Sequence, residues 1–379
     1  MNNLKLPPVA AVQGDNSALG AEIREVFSRC LTRTTGGAQL VVTRDGETIA
    51  DLAGGGIGRD TAIQLFSVSK LVVALAATHA QEAGRLDLDA PLATYWSAFD
   101  RPSTRTVTAR MVLNHSSGIC AIDHPMTRDE LVAGELNRAV QAQEPYWEPG
   151  TAHGYHAFTF GALMSGVFEH ALGERLQDYT ERYIVQPSGG GFTFGAPATQ
   201  DRDALAALSF DPPVLTEAQF GGITAGLAIM DGSMAPIMQN APAFFSDPLV
   251  QAADWPAMSG VGNAQSIARI LNASLGHGAD RLISLKSLAE MTTEQTRGMD
   301  RTLGHISRFG SGVELPHAFM PYLGEGSFGH QGAGGSVAAA HPASGTVVVY
   351  TSTHTSSTVG GADAAIVLMS TVRQVLEHA

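Results

Sequence analysis

Apolar side chains recur at helical spacing between about residues 17 and 34, where Leu19, Ile23, Val26, Phe27 and Cys30 fall on one face. The pattern then changes to that of strands. Ala38 to Thr43 and Glu47 to Ala53 read as two strands, and Asp45-Gly46 between them is a strong hairpin signal, because both residues tolerate positive φ. Helical periodicity dominates from about Val68 to about Leu172. The chain then returns to strands: Phe328 onward, Ser336 to His341 and Thr346 to Ser352, with Pro342-Ala343-Ser344-Gly345 as a turn. A last helix is predicted from about Ala362 to His378. Strands at both ends with helices between them predict an α+β fold. Its antiparallel sheet is built from the two termini and flanked by terminal helices, with a mostly helical domain inserted. The expected division is residues 1–75 with 255–379 as the α/β domain and 76–254 as the helical insertion. An active site of such a fold lies in the crevice between the two parts.

Composition narrows the function classes. The formal net charge is −13, which disfavours nucleic acid and anionic membrane surfaces as partners. Cys30 and Cys120 are the two cysteines; they read as free buried thiols and cannot form a zinc or iron–sulfur site between them. Pro7, Pro8, Gln13 and Asp15 interrupt any apolar signal region, and no run reaches the length of a membrane span, so a cytoplasmic protein is expected. There is no internal repeat and no low-complexity tract.

Three segments carry candidate chemistry. Phe66-Ser67-Val68-Ser69-Lys70-Leu71 opens an apolar helix, and residues three apart share a helix face, so Ser67 and Lys70 point the same way. A serine hydroxyl is a poor nucleophile until a base takes its proton, and a desolvated lysine can be that base. The S-x-x-K spacing alone is weak, since a capping serine beside a solvated lysine gives the same pattern. Tyr155 follows Pro149-Gly150-Thr151 and heads a second apolar run through Phe158, Leu163 and Val167. A phenol near a lysine can be held as phenolate and relay protons; a tyrosine anchored at a domain interface is the bland alternative. Gly329-His330-Gln331-Gly332-Ala333-Gly334-Gly335-Ser336 begins an edge strand whose glycines allow close approach of a substrate. A free N–H there, with that of Ser67, would form an oxyanion hole.

With these three segments in order, the chain resembles class C β-lactamases, penicillin-binding proteins and especially family VIII carboxylesterases. The matching motifs are Ser67-Val68-Ser69-Lys70, Tyr155-His156-Ala157 and His330-Gln331-Gly332. Leu86-Asp87-Leu88-Asp89-Ala90-Pro91-Leu92 and Met111-Val112-Leu113-Asn114-His115-Ser116-Ser117-Gly118 are similar to supporting segments of that group. Ser259-Gly260-Val261-Gly262-Asn263-Ala264 looks like its glycine-rich substrate-side loop. The resemblance covers about residue 20 to the C-terminus. It implies that Ser67 is acylated, that Lys70 and Tyr155 move the protons, and that the backbone N–H groups of Ser67 and Ala333 form the oxyanion hole. His330, Gln331 and Gly332 then lie at the substrate, and His115 to Gly118 act as support.

The departures from the β-lactamase pattern bear on the substrate. Ala157 stands where the group has an asparagine, and His330 and Gln331 stand where it has lysine and threonine. Alanine cannot hydrogen-bond a substrate amide, and a largely neutral histidine anchors a carboxylate less well than lysine. Both changes favour a neutral ester over a penicillin or a D-Ala-D-Ala peptide. The expectation is a serine esterase for small carboxylic esters. Acyl transfer, D-amino-acid amide or peptide cleavage and weak β-lactamase activity through the same site remain the alternatives, and a non-catalytic binding module the third class. No cofactor is expected, and His153 and His156 lack a third ligand for a metal. The partner is a small-molecule ester or amide; a homo-oligomer is left open, since the sequence does not show the oligomeric state. No G-x-S-x-G occurs, and Gly324 to Gly329 matches G-x-G-x-x-G but precedes a strand, so neither an α/β-hydrolase elbow nor a nucleotide loop is expected. Tyr146, Trp147 and Trp255 are candidates for an acyl pocket or, more commonly, for core packing. Loops at about 120–145 and 200–260 are expected to shape the pocket.

Overall fold

The computed structural model of the protein describes residues 10–196, 205–210, 240–278, 280–355 and 363–378. The N-terminal segment around Pro7 and Pro8, and most of the pocket loop expected at 200–260, lie outside the described residues. The first five strands among the described residues are β1 (Val12–Asn16), β2 (Ala38–Arg44), β3 (Glu47–Gly54), β4 (Ile63–Gln64) and β5 (Phe192–Phe194). They are followed by β6 (Ser209–Phe210), β7 (Gly260–Gly262), β8 (Thr296–Met299), β9 (Ile306–Phe309), β10 (Phe328–Gln331), β11 (Val337–His341), β12 (Thr346–Ser352) and β13 (His354–Thr355).

The main sheet has the order β1-β3-β2-β12-β11-β10 and is antiparallel throughout. Its centre joins the two ends of the chain, with Val42 opposite Val348 and Leu40 opposite Tyr350. The β2–β3 hairpin turns at Asp45-Gly46, with φ of 52° and 81°, the left-handed pair that matches strand twist. Alternation along the strands gives the sheet two apolar faces. Leu40, Val42, Leu52, Ala339, Val348 and Tyr350 pack with helix α1 (Gly20–Leu31) and the C-terminal helix Asp363–Glu377. Val41, Ala338, Ala340, Val347 and Val349 join a larger core with the central helices.

These elements follow the predicted pattern closely. Helix α1 is shorter than the apolar stripe that announced it, and β1 at the sheet edge was not predicted: its outward positions are exposed and carry little periodic signal. Two further corrections matter for the site. Ser259 to Ala264 is not a loop: Gly260–Gly262 is a fully buried strand between β4 and β5, and Asn263 caps the following helix, Ala264–Leu275. The span from Val68 to Leu172 is helical only in pieces. The long helices are α2 (Ser69–Glu82) and Thr159–Leu172, and Ala109–Leu113, Arg128–Val132 and Glu135–Ala142 are short. The β8–β9 hairpin also escaped the sequence reading, because Thr296–Met299 has only one apolar side chain.

Helix Thr159–Leu172 is fixed against the helical core by close packing. Gly166 faces the Trp96 indole, and a Cβ there would lie 2.1 Å from the nearest ring carbon. Trp96 is itself buried and stacked on His170, so it has little room to move. Gly166→Ala gains helix propensity of about 1 kcal/mol but overpacks a rigid contact at a cost of about 1–3 kcal/mol. The expected outcome is a lower urea midpoint with an unchanged slope; an unchanged or raised midpoint would show that the indole yields freely.

Candidate active site

The site is assembled around a strained turn. Phe66–Val68 forms one 3₁₀ turn that runs directly into α2. Phe66 has φ of 48°, a left-handed conformation that costs a non-glycine residue on the order of 1–3 kcal/mol. The surroundings hold it there. The Phe66 ring is buried edge-on against Phe245. The Ser69 hydroxyl donates to the Phe66 carbonyl (2.5 Å) and accepts from the Gly260 N–H (2.9 Å), while the Leu65 N–H donates to the Gly260 carbonyl (2.7 Å). The buried strand β7 is thus the mould of the turn. A Cβ at Gly260 would fall 2.4 Å from the Ser69 hydroxyl, which is why glycine stands there.

The turn leaves Ser67 half-buried and Lys70 wholly buried on the same side. Lys70 Nζ lies 3.0 Å from Ser67 Oγ, 2.9 Å from the Ala157 carbonyl and 3.0 Å from the Ala257 carbonyl. No carboxylate touches it among the described residues, and burial holds its pKa well below the usual lysine value of 10.5. A neutral amine has two N–H bonds and one lone pair. The two carbonyl oxygens can only accept, so they take the two N–H bonds and leave the lone pair for the Ser67 hydroxyl.

Tyr155 completes the group, its ring centroid 4.8 Å from Lys70 Nζ. It stacks on Phe309 of β9 and packs edge-on against His115. Burial raises the phenol's pKa, with the adjacent Ser67 side chain opposing the shift and the charges of Glu314 and Asp300 adding to it. That shift favours the neutral phenol over the phenolate form that a neighbouring lysine can support. The segment behind it is tied down. His115, at φ 63°, accepts at Nδ1 from the His156 N–H (3.2 Å). His156 donates from Nδ1 to the Gly154 carbonyl and accepts at Nε2 from the Ser117 hydroxyl, both at 2.7 Å. Burial lowers the His156 pKa to about 4. His153 Nε2 meets the Ser307 hydroxyl at 2.9 Å. Both histidines are thus occupied, and among the described residues no group of three or more His, Cys, Asp or Glu side chains could hold a metal.

The edge strand β10 closes the third side. Gly332, just beyond it, is pressed against the nucleophile turn: a Cβ there would lie 2.5 Å from the Leu65 carbonyl oxygen. Ala333, next along, is exposed beside the turn. His330 is buried, and its Nδ1 donates to the Gln331 carbonyl (2.7 Å), which fixes the tautomer and leaves Nε2 as a bare acceptor with no partner among the described residues. Burial lowers its pKa to about 4. Its ring lies 5.9 Å from that of Tyr155. Gln331 is turned to a buried carboxylate: its amide donates to both oxygens of Glu314 (3.1 and 3.2 Å). Glu314 also accepts from His317 Nε2 (2.6 Å) and the Tyr322 hydroxyl (2.5 Å). Burial would raise its pKa, but the His317 hydrogen bond and charge bring it below the usual carboxylate value.

Ser67, Lys70, Tyr155, His330, Gln331, Gly332 and Ala333 therefore meet at one place. The three aromatic candidates for an acyl pocket do not join them as a free lining. Trp147 and Trp255 are buried with their indole N–H groups on the Ser116 and Leu131 carbonyls, and Tyr146 donates to Asp123. The sequence reading missed Phe309, Glu314 and Asp300. Glu314 and Asp300 are single acidic residues among many, and only the fold shows that they are buried.

Comparisons with known proteins bear on the family and the fold. The sequence profile of the Beta-lactamase family matches residues 23–373. The chain is 27% identical over 351 residues to the esterase/beta-lactamase LipL of Mycobacterium tuberculosis (strain ATCC 25618 / H37Rv), covering 85% of this chain and 78% of LipL. Among solved structures, EstA from Arthrobacter nitroguajacolicus Rue61a superposes with a TM-score of 0.82 at 28% identity, over 97% of this chain and 99% of EstA. A family VIII carboxylesterase superposes with a TM-score of 0.83 at 26% identity, over 96% of this chain and 100% of that one. With a family profile that spans nearly the whole chain and a fold shared end to end with these structures, the protein belongs to the Beta-lactamase family.

Proposed function

We propose that the protein is a serine esterase that cleaves small carboxylic esters through an acyl-enzyme on Ser67. The observation that carries this is the buried Lys70 amine, 3.0 Å from Ser67 Oγ with its other contacts on two carbonyls. Neutral Lys70 takes the Ser67 proton as Oγ attacks the ester carbonyl carbon. The developing oxyanion is received by the N–H groups of Ser67 and Ala333; the press of Gly332, the residue before Ala333, against the Leu65 carbonyl supports this pairing. Collapse breaks the bond to the alcohol oxygen. The neutral Tyr155 phenol gives that oxygen its proton and is reprotonated from the Lys70 ammonium, which returns the lysine to its neutral state. Water then attacks the acyl-enzyme by the same route in reverse.

The polar groups on β10 bear on the substrate. His330 is neutral above pH about 4 and Gln331 is engaged by Glu314, so this strand offers no cation to a carboxylate. That supports a neutral ester over a β-lactam. The esterase name of EstB of Burkholderia gladioli points the same way, while LipL is named both esterase and beta-lactamase. We also assign residues 1–75 with 255–379 to one domain and 76–254 to the other, with the site between them; the first boundary falls inside α2. No helix among the described residues is long and apolar enough to cross a membrane. The free, buried thiols of Cys30 and Cys120 suit a reducing compartment such as the cytoplasm.

Two measurements test this reading. Ser67→Ala should lose about 10³-fold or more in turnover of p-nitrophenyl butyrate while melting as the wild type does; equal turnover in both would remove Ser67 from the reaction. For the second, the base must be unprotonated, so kcat/KM should rise about tenfold per pH unit and then level off as Lys70 loses its proton. That limb should lie well below 10.5, because burial disfavours the ammonium. Neither His156 nor His330 should add a limb above pH 5, since both titrate near 4. Lys70→Ala should erase the limb together with most of the activity; a limb that survives this change would exclude Lys70 as the base.

A further inference from the structure

Asp300 lies in the short loop that closes the β8–β9 hairpin, 145 positions from Tyr155 along the chain. It is fully buried, yet no cation is paired with it among the described residues. Its charge is held entirely by hydrogen bonds. Oδ1 accepts from the N–H groups of Tyr155 (3.0 Å), Thr302 (2.9 Å) and Leu303 (2.8 Å), and Oδ2 accepts from the Ser307 hydroxyl (3.0 Å). The neighbouring contacts repeat the link. The Arg301 N–H donates to the His153 carbonyl (3.0 Å), His153 Nε2 meets Ser307, and the Arg301 guanidinium lies over the Trp147 ring. Gly154 lies so close that a Cβ would stand 2.7 Å from Thr302 Oγ1. The Thr302 and Leu303 bonds account for the loop's own shape, as an Asp side chain commonly does for the residues just after it. The Tyr155 bond has no such local purpose.

From this juxtaposition we propose that Asp300 is a positioning residue for the reaction: it clamps the backbone of Tyr155 so that the phenol meets Ser67 and Lys70. The proposal rests on the proton-transfer role given above to Tyr155. Tyr155 follows a turn and precedes a helix, so its own secondary structure does not fix its N–H. A carboxylate oxygen already oriented by two other amides is a rigid acceptor for it. Phe309, from the same hairpin, stacks on the Tyr155 ring. One hairpin therefore sets both the backbone and the ring plane of the tyrosine. Misplacement of a reacting group by about 1 Å can cost on the order of 100-fold in rate.

The test uses Asp300→Ala, Asp300→Asn and Tyr155→Phe, with the double variant Asp300→Ala/Tyr155→Phe, assayed on p-nitrophenyl butyrate. Asp300→Ala should lose about 10- to 100-fold in kcat with KM changed by less than about threefold. Asp300→Asn keeps Oδ1 as the acceptor for all three N–H groups, and its Nδ2 can donate to Ser307, so it should stay within about threefold of the wild type. The double variant should be no slower than Tyr155→Phe alone, because a clamp has nothing to act on once the phenol hydroxyl is gone. A folded Asp300→Ala enzyme at wild-type kcat, or losses that multiply in the double variant, would overturn the clamp. If Asp300→Ala does not fold, Asp300→Glu decides. It keeps the charge but sets the carboxylate one methylene too far along, and a folded enzyme slowed about tenfold or more supports the clamp while wild-type kcat overturns it. Wild-type turnover by Tyr155→Phe would overturn the role of the tyrosine and the clamp with it; loss in Tyr155→Phe beside full turnover in Asp300→Ala overturns the clamp alone.

Discussion

A lysine amine buried with no carboxylate beside it among the described residues is the constraint around which this molecule is arranged. An ammonium in that position is costly, so burial favours the neutral amine, and its hydrogen-bonding capacity is directed. The two carbonyls that receive its N–H bonds belong to Ala157, just after Tyr155, and to Ala257, just before β7. Helix α2, the tyrosine segment and the strand that moulds the nucleophile turn thus converge on one nitrogen. Displacement of any one of them would leave an unpaired carbonyl or a lone pair aimed at nothing.

Strain and support are divided between different parts of the chain. Phe66 carries the unfavourable φ, and it is held by β7 from one side and by the press of Gly332 from the other. Polar groups at the turn, such as the Ser69 hydroxyl and the Lys70 amine, meet backbone or neutral partners. The carboxylates of Glu314 and Asp300 are set one layer back, with donors on each oxygen. Their charge serves to fix Gln331 and the Tyr155 backbone without offering a free carboxylate to a substrate.

Much of this was legible in advance because it is local. Amphipathic period marked α1, alternation and Asp45-Gly46 marked the β2–β3 hairpin, and the final strands showed in runs such as Thr346 to Ser352. The S-x-x-K spacing placed Ser67 and Lys70 on one face because helix geometry leaves no other choice. Short strands gave no such signal. Gly260–Gly262 is three residues, two of them glycine, and reads as a loop until β4 and β5 are seen on either side.

The sequence by itself determined which groups could react and the elements that carry them: a serine and a lysine one helical turn apart, a tyrosine at the head of an apolar helix, and a glycine-rich edge strand. Only the tertiary structure decided their states. Burial lowers the pKa of Lys70, raises that of the Tyr155 phenol and leaves one His330 nitrogen with no partner among the described residues, and desolvation depends on what the rest of the chain packs around a group. It also chose Asp300 and Glu314 from the many acidic residues, since a hydrogen bond between positions 145 apart has no periodicity to betray it.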